Sequence, residues 1–354
     1  MKNKILTIIF IIYITLFSIL SILIPDKNIS NSERRKLNTF PEFELDSKWI
    51  NNLDKYFLDH FVLRDKFRSL KALYNYKFLN KKDNNKIYLK DNYIFKSNYP
   101  TNIDSVNNFK NKLNKLASLF SNDNNIYILI IPDKNYYLNT DDFLHIDYDF
   151  IYSQIGSLNY KNIDVRDVLN LHDYYETDTH WRQENLDKVV KQMSNVMNFK
   201  YMGVNYTKNK FDDFYGVYYG ESAMNRRPEH LIYLTNELFN NVEVKYLENS
   251  SINTVYNELK LDGIDAYDVY LDGASSFIEI FNNNIESGKE LIIFRDSFGS
   301  SLTPLLIPYY KKITVIDNRY IRSEIFNEKI KFTNQDVLFL YSTLLVNDSG
   351  SLKG

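Results

Sequence analysis

The chain has 354 residues, the length of two average domains or one large α/β domain, and its 44% hydrophobic content excludes a disordered or fibrous protein. Lysine plus arginine number 43 and aspartate plus glutamate 45, a near balance that disfavours a bulk nucleic-acid binder. The chain contains no cysteine, which excludes disulfides, zinc–thiolate sites, iron–sulfur clusters and cysteine nucleophiles.

The first predicted element is a membrane-spanning helix. Residues 5–24 carry no charge, and about 20 helical residues cross a bilayer core. Lys2 and Lys4 precede this block, so the positive-inside tendency places the amino terminus in the cytosol and the rest of the chain outside. A cleaved signal peptide is the main alternative, but the block is long and lacks a small-residue cleavage site. A buried soluble helix is disfavoured because the block is apolar on every face. We predict a single-pass anchor over residues 1–25 in the cell membrane.

Residues 26–85 are predicted to form a polar stalk and a helical segment. The apolar residues of 46–80 have helical spacing, with charges between them. Residues 87–98 alternate and contain a turn at Asp91 and Asn92, which predicts a hairpin.

An α/β pattern dominates the predicted catalytic domain, residues 86–354. Short apolar runs of the kind found in buried parallel strands alternate with helical patterns. The predicted elements are helix 103–120, strand 126–131, helix 182–198, strand 290–294, helix 301–311, and strands 313–316 and 337–341. Residues 200–285, rich in Tyr, Asn, Asp and Gly, are predicted to be a mostly β or irregular insert. The alternation predicts a parallel sheet with helices on both faces.

A candidate nucleophile follows one of these strands. The strand at 290–294 runs through Arg295 into Asp296 and Ser297, and a helical stretch follows. Ligands of open α/β sheets bind at the carboxyl ends of strands, and backbone N–H groups at such a turn could hold an oxyanion. The alternative is that Ser297 only caps the following helix.

A candidate acid and base lie two residues apart. The carboxylate of Asp178 can orient the imidazole of His180, which would then act as a base. A surface histidine and a metal ligand are the alternatives, although the other histidines show no ligand spacing with His180. Trp181 beside it could be ordinary core. Together with Ser297, which is 117 residues further along, these residues supply the three parts of a serine triad.

The two motifs resemble those of the DHHW family, which is related to alginate O-acetyltransferase proteins with an SGNH-hydrolase-like domain. The paired segments are 175–181 and 294–299, and weaker matches occur at 57–64, 131–134 and 315–320. The resemblance covers roughly residues 30–350. It implies an SGNH-like fold with a circularly permuted motif order, in which Ser297 is the nucleophile, His180 the base and Asp178 the orienting acid. Two residues depart from the family pattern: Thr179 replaces a His, and Arg295 replaces a Gly.

Accessory roles are predicted for residues near these motifs. The residues that could support the oxyanion or the substrate are Phe298, Gly299, Trp181, Arg319 and Lys134. Arg319 could bind a polar substrate or pair with Asp317 or Asp296, and Lys134 could face the site or solvent. No metal and no cofactor are predicted.

The resemblance implies an extracytoplasmic O-acetyltransferase of the cell envelope that modifies an exopolysaccharide through an acyl-serine. It also suggests a membrane-bound O-acyltransferase partner as acetyl supplier, because acetyl-CoA is cytosolic. Two alternatives stay open. One is a carbohydrate acetylesterase with the same triad. The other is a non-catalytic polysaccharide-binding scaffold of an export complex, which the bulky Arg295 favours.

Overall fold

The computed structural model describes residues 2–30, 32, 33, 35–121, 123–138 and 143–353. The chain divides into two compact units. The small unit comprises Met1–Ile87 and Tyr219–Arg227, and the large unit comprises Tyr88–Tyr218 and Pro228–Gly354.

The small unit is built around three helices. These are α1 (Lys2–Leu23), α2 (Ser47–His60) and α3 (Arg64–Leu73), and α3 continues as a π-helical turn at Tyr74–Phe78. Its short strands are β1 (Ile29–Ser30), β2 (Arg35–Lys36) and β3 (Asp83–Asn84), of which β1 and β2 pair antiparallel. Helix α1 is long and apolar enough to cross a membrane. The helical segment predicted over 46–80 is broken after His60, where Phe61 is extended and Leu63 takes a left-handed conformation.

A seven-stranded sheet forms the centre of the large unit. In spatial order its strands are β10 (Val242–Tyr246), β11 (Phe277–Asn282), β13 (Lys312–Ile316), β12 (Glu290–Arg295), β14 (Asp336–Ser342), β6 (Asn125–Ile131) and β7 (Lys161–Asn162). The strands from β13 to β7 are parallel, whereas β11 runs antiparallel to both of its neighbours. The remaining strands of the unit are β4 (Ile87–Lys90), β5 (Tyr93–Lys96), β8 (Thr207–Phe214) and β9 (Glu229–Thr235).

Helices cover both faces of this sheet. The described helices of the large unit are α4 (Ile103–Ala117), α5 (Tyr148–Gly156), α6 (Asp187–Met197), α8 (Phe298–Leu306), α9 (Ser323–Asn327) and α10 (Thr343–Asn347). Helix α7 (Val217–Ser222) begins in the large unit, and its residues from Tyr219 onward belong to the small unit. Helices α6 and α8 pack in one hydrophobic core with one face of the strands, and α4 and α5 pack in a second core with the other. The central strands are buried on both faces, which explains their uninterrupted apolar runs. The α/β class predicted from the sequence, a mostly parallel sheet flanked by helices, is confirmed.

The segment predicted as an insert contributes to two sheets. Strands β8 and β9 pair with each other, but β10 and β11 extend the antiparallel edge of the central sheet. The predicted hairpin at 87–98 forms as β4 and β5, which are joined by a turn at Asp91 and Asn92. Helix α8 begins at Phe298 rather than near residue 301, directly after Ser297.

Candidate active site

The carboxyl ends of the parallel strands bring together most of the residues singled out by the sequence. Strand β6 leads into Asp133 and Lys134, β12 into Asp296 and Ser297, and β13 into Asp317. Because these strands are parallel, their carboxyl ends lie along one edge of the sheet, where ligands of open α/β sheets bind.

Ser297 occupies the turn between β12 and α8 and is half-buried. It stands at the N-cap position of α8, yet its side chain makes no capping hydrogen bond. Its Oγ lies 2.8 Å from Nε2 of His180 instead. The side chain is therefore committed to the imidazole and not to the helix, contrary to the capping alternative.

His180 is held between Ser297 and Asp178. The Nδ1 of His180 lies 2.6 Å from Oδ1 of Asp178, which also accepts the backbone N–H of His180 at 2.9 Å. The second carboxylate oxygen of Asp178 accepts the N–H of Val217 at 2.8 Å. Asp178 is fully buried and His180 nearly so. A carboxylate on Nδ1 favours the tautomer with the proton there, which leaves Nε2 as the acceptor facing the serine hydroxyl.

Tyr267 packs flat against the imidazole, a contact that the sequence did not indicate. The ring centroids of Tyr267 and His180 are 3.9 Å apart with an interplanar angle of 8°. The Tyr267 hydroxyl lies 2.8 Å from Oγ of Ser301 on α8. Burial raises the pKa of Tyr267 well above its ordinary value, so the phenol stays neutral. The imidazole is thus fixed in its plane as well as through its two nitrogen atoms.

Trp181 connects α8 to the loop of residues 175–181, called the acid loop here, which carries Asp178 and His180. Its indole N–H lies 3.0 Å from the carbonyl oxygen of Phe298 and 2.9 Å from Oγ of Ser301. Its side chain is completely buried and meets the Phe298 ring edge-on. Trp181 therefore positions the loop and is not exposed to substrate.

Lys134 is buried and clamps the backbone of the loop that carries the acid. Its Nζ donates to the carbonyl oxygens of Tyr175 (3.0 Å), Glu176 (3.1 Å) and Asp178 (2.7 Å). Burial lowers the pKa of Lys134 to about 7, against the pull of nearby carboxylates. The side chain faces neither solvent nor an open cleft, so its place in the site is structural support of Asp178.

Glu229 holds the same loop from its amide side. Its carboxylate accepts the N–H groups of Glu176 (2.7 Å) and Thr177 (2.6 Å), and it pairs with Arg182 at 2.5 Å. Lys134 and Glu229 together bind the carbonyl and amide groups of one short turn. These two sets of hydrogen bonds hold the loop in place in the absence of substrate.

Gly216 allows the chain to pass directly over Asp178. A Cβ at this position would lie 2.3 Å from both Cα and Cβ of Asp178 and 2.4 Å from its nitrogen. No real side chain tolerates such contacts. The N–H of Gly216 donates to Oγ1 of Thr177 at 3.0 Å, and the next residue supplies the amide that binds the Asp178 carboxylate.

The turn after Ser297 is held by Asp296. The N–H of Phe298 donates to Oδ1 of Asp296 (3.0 Å), and the N–H of Gly299 donates to its carbonyl oxygen (3.1 Å). These two amides are thus already bonded within the turn. Gly299 has a packing role, because a Cβ there would lie 2.7 Å from Cβ of Arg295.

Arg295 and Arg319 both bind Asp317. Arg319 makes two hydrogen bonds to the Asp317 carboxylate, at 2.9 and 2.6 Å, which is the ion-pair alternative predicted for it. Arg295 is 1% exposed, lies 3.5 Å from Asp317, and donates to the carbonyl oxygen of Gly273 at 3.1 Å. Burial lowers the pKa of Arg295 from its ordinary value, and Asp317 opposes that shift. Its guanidinium is therefore engaged in the interior.

The residues missed by the sequence share one location. Gly216, Glu229 and Tyr267 all belong to the segment predicted as an insert, in which no short motif marks them. Among the described residues, no group of three or more His, Asp or Glu side chains is arranged to hold a metal ion.

The fold is similar to that of several solved structures. A DHHW family protein from Eubacterium siraeum DSM 15702 matches with a TM-score of 0.63 and 19% identity, over 77% of this chain and 97% of that one. PatB1 from Bacillus cereus matches with a TM-score of 0.59 and 17% identity, over 77% and 98%. PatB1 with a sulfonyl adduct matches with a TM-score of 0.55 and 16% identity, over 73% and 97%. The resemblance to the DHHW family seen in the motifs is confirmed by this likeness, which establishes the fold. No family model and no curated protein matches the chain.

Proposed function

We propose that this protein is a membrane-anchored serine O-acyltransferase that transfers acetyl groups to hydroxyls of a polysaccharide outside the cytoplasm. The observation that supports it most is the line of Asp178, His180 and Ser297, joined by contacts of 2.6 and 2.8 Å. Such a line activates a serine whose free hydroxyl is a weak nucleophile. Ser297 is also half-buried, whereas Asp178 and His180 are buried.

The proposed reaction has two halves. Oγ of Ser297 attacks the acetyl carbonyl carbon of the donor ester while Nε2 of His180 takes the hydroxyl proton. The tetrahedral intermediate then expels the donor alcohol, which receives that proton, and acetyl-serine remains. A sugar hydroxyl gives its proton to His180, attacks the acetyl-serine and leaves as the new ester, and the proton returns to Ser297. Asp178 stabilises the imidazolium in both halves.

The oxyanion requires donors that are not already bonded. The amides of Phe298 and Gly299 donate to Asp296, whereas the Ser297 N–H has no acceptor among the described residues. We therefore assign the Ser297 N–H as a backbone donor to the developing oxyanion. Preorganised donors of this kind are typically worth about 10²–10³ in kcat.

The polysaccharide acceptor and the envelope location rest on the DHHW resemblance and on α1. If α1 spans the membrane, the acetyl group must reach Ser297 on the outer side, where acetyl-CoA is absent. We propose a membrane-bound O-acyltransferase, which passes acetyl groups across the bilayer, as the partner that supplies them.

The test uses the purified full-length chain in detergent with an artificial acetyl ester, with and without an oligosaccharide acceptor. We expect Ser297→Ala and His180→Ala to lose at least about 10³-fold in ester turnover. Ser157→Ala, which changes an exposed serine of the large unit, is the matched control. Because the neighbour PatB1 was solved with a sulfonyl adduct, a sulfonyl fluoride is a suitable covalent probe. Its attachment is expected at Ser297, as read by peptide mass spectrometry.

The outcomes separate the alternatives. Acetate release without any transfer to added oligosaccharide would favour the carbohydrate acetylesterase, which shares the triad but uses water as acceptor. Unchanged turnover in folded Ser297→Ala would refute serine catalysis, whereas a folded parent chain without ester turnover would favour the non-catalytic scaffold. The scaffold alternative was favoured by the bulky Arg295, but this side chain is bonded to Asp317 and Gly273 in the interior and therefore no longer supports it.

A further inference from the structure

Helix α3 of the small unit is oriented with its apolar side outward. The residues Leu63, Phe67, Leu70, Tyr74 and Phe78 follow one another at intervals of three or four along α3 and its π-helical extension. We call them the outer stripe. All five are exposed, from 36% for Phe67 to 76% for Phe78. A helix on a soluble protein normally buries such a stripe against the core.

The opposite side of the same helix is polar and faces inward. Arg64 lies 2.6 Å and Arg68 3.3 Å from the carboxylate of Glu33, and Arg68 donates to the carbonyl oxygen of Gly220 at 2.8 Å. Ala72, on this inner side, is completely buried. The ion pairs therefore attach α3 to the rest of the small unit. Apart from the ring contacts of Phe67 with Phe17 and Phe61, the outer stripe has no covering layer among the described residues.

The outer stripe is continuous with the apolar helix α1. The ring of Phe17 stacks on Phe61 at 5.8 Å and meets Phe67 edge-on at 5.7 Å. The N–H of Val62 donates to Oγ of Ser21 at 3.2 Å. Phe17 is seven residues before the end of the uncharged block, which corresponds to about 10 Å of helix. If α1 spans a membrane, the turn between α2 and α3 lies at that depth, within the range at which interfacial helices insert.

The charges around the stripe match an anionic lipid surface. Residues 64–86 contain eight Lys or Arg against two Asp. The lysines of this segment that are exposed are Lys66, Lys71, Lys77, Lys81, Lys82 and Lys86. Lysines beside an apolar stripe extend their ammonium groups to lipid headgroups, and each contributes attraction to anionic lipids.

We propose that the outer stripe is a second membrane-binding element, inserted in the interfacial layer of an anionic bilayer beside α1. It would hold the small unit against the membrane surface rather than leave it on a free stalk. The inference rests on the part of the proposed function that makes α1 an anchor. It does not depend on the acyl-transfer chemistry.

The test exploits the absence of cysteine, because any introduced cysteine is the sole labelling site. Full-length Leu70→Cys and Tyr74→Cys proteins are labelled with an environment-sensitive fluorophore and reconstituted into phosphatidylglycerol–phosphatidylcholine vesicles. Ser69→Cys is the matched control on an exposed position outside the stripe, and Ile12→Cys reports the anchor. Tryptophan fluorescence, from Trp49 of the small unit and Trp181 of the large unit, verifies that each variant is folded.

We expect a blue-shifted emission at positions 70 and 74 that quencher-bearing lipids reduce at least twofold, and a water-like, unquenched emission at 69. Quenching at position 12 but not at 70 or 74 would refute the inference and leave the anchor intact. A blue shift that lipid quenchers do not affect would also refute it, since a second copy or a protein partner would then cover the stripe. An unquenched position 12 would refute the anchor and this inference together.

Discussion

Replacing Lys134 by methionine tests whether this side chain supports the acid loop. We expect its effect on the free energy of unfolding to depend on pH in a defined way. The pKa of Lys134 is lowered by burial to about 7, against 10.5 in the unfolded chain. Below pH 7 both states hold the proton, and the folded state bears the full cost of a buried ammonium. Between pH 7 and 10.5 only the unfolded state keeps the proton, so the free energy of unfolding rises with pH. The rise attributable to Lys134 is on the order of 5 kcal/mol across this window.

The assay is urea unfolding of the detergent-solubilised chain at pH values from 6 to 10. A Trp49→Phe background leaves Trp181, which lies beside the loop, as the only tryptophan. We expect the difference in unfolding free energy between the parent and Lys134→Met to increase with pH over this range. Lys200→Met, which alters an exposed lysine of the same unit, should show a constant difference.

Activity gives a second reading of the same substitution. Methionine removes three hydrogen bonds to the loop backbone, and a misplacement of about 1 Å can cost about 10²-fold in rate. We expect ester turnover to fall by about 10- to 100-fold at pH 7. A pH-independent stability difference together with unchanged turnover would refute both the buried charge and the support that we assign to Lys134.

The remaining predictions concern residues that the fold brings to the triad. In urea unfolding, Gly216→Ala is expected to destabilise the large unit by several kcal/mol, and it should abolish turnover, because its Cβ would overlap Asp178. Gly156→Ala, at an open helical position, is the control and should be neutral or slightly stabilising in the same assay. Tyr267→Phe keeps the ring on His180 and should retain turnover within a few fold, whereas Tyr267→Ala should lower kcat by about tenfold or more. Equal kcat values for the two Tyr267 variants would show that the stacked ring does not orient His180.

The strands and the triad were predictable because their signals are local. A strand buried on both faces appears as an apolar run, and the residues that end such runs in a parallel sheet gather at one edge. Ser297 and Lys134 follow such runs directly. Asp178 and His180 are two residues apart, so their contact depends on little more than the local turn.

The features that the sequence did not predict depend on contacts between distant parts of the chain. Tyr267 and Glu229 come from a segment of weak periodicity, and nothing in the sequence around them indicates that they contact the acid loop. The pattern of β10 and β11 fits a separate insert as well as an edge of the central sheet, because both kinds of strand are partly buried. For α3 the spacing gives an apolar stripe but not the direction in which it faces.

The hydrogen bonds from Lys134 and Glu229 to the acid loop have a consequence for how this site can change during evolution. Lys134 and Glu229 bind mainly carbonyl and amide groups of the backbone, which every residue except proline supplies, and Thr177 adds its hydroxyl to Glu229. The side chain of Thr179 takes no part in these bonds, so it can be exchanged without loosening them. Thr179 stands where the DHHW pattern has a His, and its side chain accepts only a hydroxyl contact from Tyr218 at 3.1 Å among the bonds described. Substitutions at position 179, between the acid and the base, therefore cost little stability. The residue types of the motif can change there while the distances between Asp178, His180 and Ser297 stay the same.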